Sequence, residues 1–199
     1  MILIEQTQVP EAALPVTEFR DHLQLGTGFA DDGLQDSVLV AQLRAAIAAI
    51  EGDTAKALLK RDFKYVVTAW AGTSRQKLPL APADEILSLA ITDLGGGTEL
   101  LDPVDYRLVQ DTHAPELRWM GWSLPLIPVG GTAEIVFAAG FASEWSAVPA
   151  DLAQAVLILA AHYYERRSGG TRRDSEMPAD VTAICRRHKP IRLLGGGRA

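Results

Sequence analysis

The spacing of apolar residues changes twice along the chain. Between Leu34 and Lys60, Leu39, Leu43, Ile47, Ile50 and Ala57 recur at three- to four-residue steps, with seven alanines from Ala41 to Ala57. That is the period of one helix face. It predicts a long amphipathic helix capped by Asp31 or Asp32, with Gly52-Asp53-Thr54 as its kink or break. A helix over that whole stretch would measure about 40 Å at 1.5 Å per residue. Ahead of it, Pro15-Val16-Thr17-Glu18-Phe19 starts a short helix through Leu25, with Thr17 as cap candidate and Gly26-Thr27-Gly28 as its stop. From Phe63 to Ala139 the period falls to two, and strands are expected at Phe63–Trp70, Ile86–Thr92, Tyr106–Gln110, Leu117–Trp119 and Glu134–Ala139. Turn residues separate them, and with no helical pattern between them the strands should pair antiparallel.

Helical spacing returns at Pro149–Arg167. Pro149 opens the first turn, Asp151 sits at the positive end of the dipole, and Arg166 and Arg167 sit at the negative end. A polar linker, Ser168–Ser175, leads to a last short helix, Pro178–His188, and then to Pro190 and a Gly195-Gly196-Gly197 end. The pattern therefore predicts an α+β fold. Its N- and C-terminal segments form a helical bundle, an antiparallel β insertion occupies about residues 63–140, and a basic C-terminal tail follows. The expected division of one 199-residue domain is N-terminal helices at 1–61, β insertion at 62–147, core helix at 148–167 and basic arm at 168–199. The two helical blocks should pack together, because neither buries its apolar stripe alone.

Charge sharpens this picture. Residues 166–199 hold nine Arg or Lys and three Asp or Glu, about +6, on a chain of net charge −6, so the preceding residues carry about −12. An anionic partner would meet the C-terminal arm first. Composition, with 48% apolar and 22% charged residues, is that of a globular protein. Cys185 is the only cysteine, which excludes an intrachain disulfide and a cysteine-based zinc cluster. Met1–Gln8 lacks the basic start and apolar core of a secretory signal, and the apolar run Leu152–Tyr164 is too short to span a bilayer. These features predict a soluble protein without membrane contact.

Catalytic and cofactor motifs do not emerge. The glycine-rich segments at 95–97, 130–131, 169–170 and 195–197 lack a following Lys-Ser or Lys-Thr and the third glycine of a dinucleotide fingerprint, so they read as turns. Gly121-Trp122-Ser123-Leu124-Pro125 approaches a nucleophile elbow, but proline replaces the closing glycine. His22, His113, His162 and His188 are scattered without metal-ligand spacing, and His162 reads as a packed or subunit-contact residue. Asp102, Asp105 and Asp111 read as solvated turn acids rather than ligands of a hard cation. Trp70, Trp119, Trp122 and Trp145 are expected mostly in the core, with one or two available to anchor a protein interface. No enzyme, cofactor or metal site is expected.

The order of several segments carries more than any one motif. Pro15-Val16-Thr17-Glu18-Phe19-Arg20-Asp21-His22-Leu23 leads into the acid-capped helix ending Ile50-Glu51-Gly52-Asp53-Thr54-Ala55-Lys56-Ala57-Leu58. Leu78-Pro79-Leu80-Ala81-Pro82, Thr92-Asp93-Leu94-Gly95-Gly96, Tyr106-Arg107-Leu108 and Ile135-Val136-Phe137-Ala138-Ala139-Gly140-Phe141 follow. Val148-Pro149-Ala150-Asp151-Leu152 and Tyr163-Tyr164-Glu165-Arg166 complete the series. Over roughly residues 10–195 this order resembles the head–tail connector (adaptor, head-completion) family of long-tailed phages and phage-derived gene transfer agents.

The resemblance implies a non-enzymatic ring subunit, commonly one of twelve, under the portal protein at the head vertex. Such a ring extends the DNA channel, seats the next tail or stopper protein, and lets double-stranded DNA pass without sequence-specific binding. It places the protein at the head–tail junction of a phage or phage-like particle assembled in the bacterial cytoplasm. By matching position, Met177–Leu194 would be the portal-facing segment. Arg186, Arg187, Lys189 and Arg192 are accordingly the docking residues, with Ile191, Leu193 and Leu194 as apolar anchors, an end that orders on its partner. The β region is longer than in leaner members of the family. The alternative from the residues alone is a nucleic-acid-binding protein using the basic arm, which steep salt dependence of duplex binding would mark.

Overall fold

The computed structural model describes residues 1–24, 36–166 and 177–190, and the chain divides into two compact units. One unit is helical and comprises Val9–Leu59 and Phe141–Lys189. The other is built of strands from Met1–Gln8 and Lys60–Gly140. Among the described residues no helix is long and apolar enough to cross a membrane.

The helical unit contains α1 (Val16–His22), α2 (Asp36–Thr54), α3 (Ala150–Arg166) and α4 (Ala179–His188). The periodic residues Leu39, Leu43, Ile47 and Ile50 of α2 meet Leu152, Val156 and Leu159 of α3, with Phe19 of α1 and Val181 and Cys185 of α4 closing the same core. Phe19 and the Tyr164 ring meet edge to face at 6.4 Å. The N- and C-terminal helical blocks thus pack on each other, as neither could bury its stripe unaided.

Helix α2 ends at the break expected at Gly52-Asp53-Thr54 and does not run on toward Lys60. It stops at Thr54 after 19 residues, about 28 Å at 1.5 Å per residue. Ala55 takes the left-handed conformation at φ 54°, the usual reversal after a helix. Beyond it, the Leu58 amide donates to the Glu51 carboxylate at 2.7 Å, and Leu59 bridges to Ala142. Ala57 is therefore buried in the segment after the helix rather than on its face. Helix α1 begins at Val16 with Pro15 at its cap position and no side-chain cap bond, so Thr17 lies inside the helix. The cap candidates Asp31 and Asp32, the Gly26–Gly28 stop and the linker Ser168–Ser175 lie outside the described residues.

The β unit holds two antiparallel sheets. The larger has the order β1-β2-β8-β4-β5, from β1 (Ile2–Glu5), β2 (Arg61–Val67), β4 (Ala83–Thr92), β5 (Thr98–Leu100) and β8 (Thr132–Ala139). Alternation delivers Phe63, Tyr65 and Val67 of β2 and Ala133, Ile135, Phe137 and Ala139 of β8 to one buried face. Phe63 lies opposite Phe137 and their rings stack at 5.9 Å. The smaller sheet runs β3-β7-β6, from β3 (Arg75–Lys77), β6 (Tyr106–Val109) and β7 (Glu116–Trp119). The turn joining β4 to β5 uses Gly96 at φ 85°, and Asp93 accepts the Gly97 amide at 2.8 Å.

Every expected strand is present, with β2 ending at Val67 rather than Trp70. Three further strands, β1, β3 and β5, carried no alternation to read. The tryptophans depart from expectation more. Trp70, Trp119 and Trp145 are only half-buried and Trp122 is wholly exposed, so none is a closed core residue. Trp70 lies past the end of β2, where its indole N–H donates to the Pro125 carbonyl at 2.7 Å.

Candidate docking segment at the C-terminal helix

Helix α4 is amphipathic over a single turn-and-a-half of contact. Val181 and Cys185, four residues apart, are fully buried, while Ala183 and Arg186 face outward. Pro178 supplies the cap position, and the Thr182 hydroxyl donates back to the Pro178 carbonyl at 3.1 Å. The last turn carries Arg186, Arg187 and His188, cations placed where the helix dipole is negative.

Two carboxylates hold this turn to the helical unit. Asp151, at the start of α3, accepts from the Leu152 amide at 2.9 Å. Its other oxygen meets His188 Nε2 at 2.7 Å and the Arg187 guanidinium at 3.4 Å. Lys189 Nζ reaches Asp53 at the end of α2 at 2.6 Å. Burial works to raise the Asp151 carboxyl pKa, but the hydrogen bond and charge of His188, the Leu152 N–H and Arg187 outweigh it, so the net direction is down. The Cys185 thiol moves up, chiefly through burial and then the nearby Asp53 charge, against a smaller opposing effect of Lys189. That thiol is packing, not chemistry.

Of the residues assigned to docking, three fall in the described chain. Arg186 is exposed and has no ion-pair partner among the described residues; Arg187 is 64% exposed despite its contact with Asp151; Lys189 is spent on Asp53. Arg186 and Arg187 lie in the last turn of α4, the helix expected at Pro178–His188, and Lys189 follows at its cap, so these three are already held by folded structure and do not wait for a partner to order them. Ile191, Arg192, Leu193 and Leu194 lie outside the described residues. The clamp residues Asp53 and Asp151 were not singled out for this role. Asp151 was legible as a helix-start acid, but which cation it meets depends on where α4 lands.

The other sequence candidates scatter. Ser123 is exposed on a loop, and Asp102 and Asp111 serve their own turns, accepting from the Val104 amide and from the His113 and Ala114 amides. His162 is half-buried on α3, 2.9 Å from the Arg166 guanidinium one turn on. Among the described residues no group of three His, Cys, Asp or Glu converges as metal ligands would.

Solved structures settle the kinship. A chain in the neck of an empty gene transfer agent (GTA) particle, computed with C6 symmetry, is 50% identical over 98% of this chain and 99% of its own, with a TM-score of 0.87. A chain in the virion of a native GTA particle is 50% identical over the same shares, with a TM-score of 0.85. The chain belongs to the head–tail connector family of gene transfer agents. A third relative, in the neck of a native GTA particle computed with C12 symmetry, is 46% identical over 98% of this chain, with a TM-score of 0.83. No protein-family model and no curated protein sequence matches the chain. As a connector, the protein is a structural component of the neck of a phage-like particle, at the head–tail junction. The β unit is part of that shared architecture, since the match runs over nearly the whole length of both chains.

Proposed function

We propose that this connector forms a closed ring beneath the portal, extends the DNA channel and seats the next tail or stopper protein. The observation that carries the reading is 50% identity, over 98% of the chain, to a protein of the GTA neck. The C6 and C12 symmetries of the relatives' necks support a ring, twelve copies being the larger of the two symmetry orders. The body's excess of carboxylates suits a conduit, because like charge denies DNA the counterion-release affinity that would hold it in place. Exposed Ala41, Ala45 and Ala48 line one side of α2 and leave room for a neighbouring helix to approach closely. The role calls for no catalysis and no cofactor.

Within this reading the C-terminal segment is the portal dock. Arg186 and Arg187 present charge from a helix end that Asp151 and Asp53 already hold in place, which lowers the ordering cost of binding. Ile191, Arg192, Leu193 and Leu194 follow as the apolar and basic continuation, with Pro190 restricting its start. Because Lys189 pairs with Asp53, the informative truncation begins at Pro190. Removing residues 190–199 should leave thermal unfolding within about 0.5 kcal/mol of wild type and abolish joining of tails to filled heads. Normal head–tail joining by the truncated protein would show that the dock lies elsewhere.

A further inference from the structure

The larger sheet of the β unit ends in two edges whose outward backbone groups meet no partner among the described residues. Its order is β1-β2-β8-β4-β5, and every neighbouring pair is antiparallel. In such a pair alternate residues point both backbone groups at the partner strand, and the residues between them point theirs away. The Gln6 amide donates to the Asp62 carbonyl at 2.8 Å, which fixes the alternation along β1. Ile2 and Ile4 therefore bond β2, while Leu3 and Glu5 turn their N–H and C=O outward. At the other edge the Asp93 amide donates to the Gly97 carbonyl and the Leu101 amide to the Leu89 carbonyl, each at 2.9 Å. Thr98 and Leu100 of β5 accordingly face outward, with no backbone bond there among the described residues.

An open row of N–H and C=O groups recruits other strands, so unused edges are commonly blunted with a lysine, a proline or a bulge. Strand β1 has none of these. It reads Ile-Leu-Ile-Glu, pairs with β2 in unbroken register, and exposes Ile2, Leu3 and Ile4 at 60%, 40% and 43%. Its one charge, Glu5, is taken by Arg61 at 2.9 Å. At the far edge Leu100 is 70% exposed. An apolar strand exposed on both its faces adds little to the sheet it borders. Its sequence makes sense with another strand beside it.

We propose that β1 of one copy pairs with β5 of the next, so that the larger sheet runs on from copy to copy. Three features of the sheet select this occupant. The two edges are separate surfaces, four strand spacings or about 19 Å apart. With five strands each antiparallel to the next, β1 and β5 run in the same direction, so copies related by rotation about a ring axis bring them together parallel. The alternation also fits. In a parallel pair one residue bonds the two residues that flank its opposite number. Leu3, opposite Glu99, donates to the Thr98 carbonyl and accepts from the Leu100 amide, and the Glu5 amide donates to the Leu100 carbonyl. That register sets Ile4 beside Leu100, on one face of the sheet, because Leu100 shares a cross-strand row with Ala90, Glu134, Val66 and Ile2. Sliding β1 by two residues would put Glu5 opposite Glu99, two like charges. Different edges that fit each other make a heterologous contact, the kind a ring requires, whereas β1 against β1 would close pairs. The inference rests on the ring reading above and names the surfaces that close it.

Cysteine pairing in assembled necks is the test. Within one chain Ile4 and Leu100 lie on opposite edges, beyond the roughly 7 Å between Cα atoms that a disulfide spans, and the native Cys185 is buried. Any bridge between the two positions therefore joins two copies. The full chain with Ile4→Cys and Leu100→Cys, assembled into particles and oxidised, should run on a denaturing gel as a ladder of dimers, trimers and higher multiples. An equimolar mixture of the single variants should stop at dimers, and neither single variant alone should bridge. Necks that hold a ring of the double variant without the ladder overturn the proposal and leave the ring reading standing. Necks without a ring sink both. Bridges formed by one single variant alone assign its edge to a like pair and also overturn the proposal. A backbone variant gives an independent readout, since Leu3→Pro removes an outward N–H and no bond to β2. It should melt like wild type and lower the yield of joined particles at least about tenfold. A folded Leu3→Pro protein that joins heads to tails like wild type overturns the proposal as well.

Discussion

The two units spend their apolar residues differently. In the helical unit Phe19, Leu39, Leu43, Ile50, Leu152 and Leu159 are completely buried, and Val38, at 36%, is the one exposed large apolar side chain among its described residues. The β unit has a buried face too, yet it exposes Leu87, Leu94, Leu100, Val104, Trp122, Leu126 and Val129, the last at 97%. Exposed apolar side chains in that number, rimmed by charge, mark surface reserved for contact. The helical unit reads as a frame whose interior was optimised for itself. The β unit reads as half of something, completed by what it meets.

That contrast can be broken most directly by paired truncations. Leu152→Ala, in the helical core, should cost about 2–5 kcal/mol and lower the melting temperature by roughly 5–15 °C. Leu126→Ala, 86% exposed in the β unit, should move it by no more than about 0.5 kcal/mol. Circular dichroism melts of the two variants decide the matter. Comparable losses would mean that the exposed side chains of the β unit are structural after all.

A smaller effect concerns the clamp at α4. Asp151→Asn keeps the shape but removes the charge that meets His188 and Arg187, at a cost of about 1 kcal/mol after solvent screening of a partly exposed pair. The folded-state pKa of Asp151 lies below the ordinary value of 3.8. Its contribution is therefore fully present above that ordinary value and is lost as pH falls through the folded pKa. Denaturant titrations should show wild type and Asp151→Asn separated at pH 6 and converging toward pH 3. A gap that persists at the acid end would assign the effect to packing.

The smallest expected change is a gain. Ala55, at φ 54°, holds a side chain where the left-handed backbone crowds Cβ. Ala55→Gly should relieve that crowding and, after the entropy of glycine is subtracted, raise stability by about 0.5 kcal/mol. A loss of stability would mean that the Ala55 methyl makes contacts worth more than its strain.

The same contrast explains what was legible in the chain. Residues that face a closed interior repeat with the period of their element, so Leu39, Leu43, Ile47 and Ile50 announced α2, and the alternation through Phe63–Val67 and Ile135–Ala139 announced the central strands. Strands β1, β3 and β5 border their sheets and leave most side chains outside, so Ile-Leu-Ile-Glu, Arg-Gln-Lys and Thr-Glu-Leu carry no period to detect. The end of α2 fell at the expected Gly52-Asp53-Thr54 break, but Ala57 did not extend its apolar face, because the backbone reverses at Ala55. The two open edges could not be seen at all. Strands β1 and β5 become the borders of one sheet only through strand order, with β2, β8 and β4 between them.

Neither unit is a continuous length of chain, and that has a consequence for how the protein is made. The chain of helix α2 is complete once residue 54 has been added, but α3, which covers its apolar stripe, begins at residue 150. At about 5–20 residues per second, the roughly 95 residues in between, most of them in the β unit, take about 5–20 s to translate. Strand β1 waits likewise for β2, some 55 residues downstream. During that interval α2 has only the short α1 to pack against, and the apolar stripe that α3 will cover stays open.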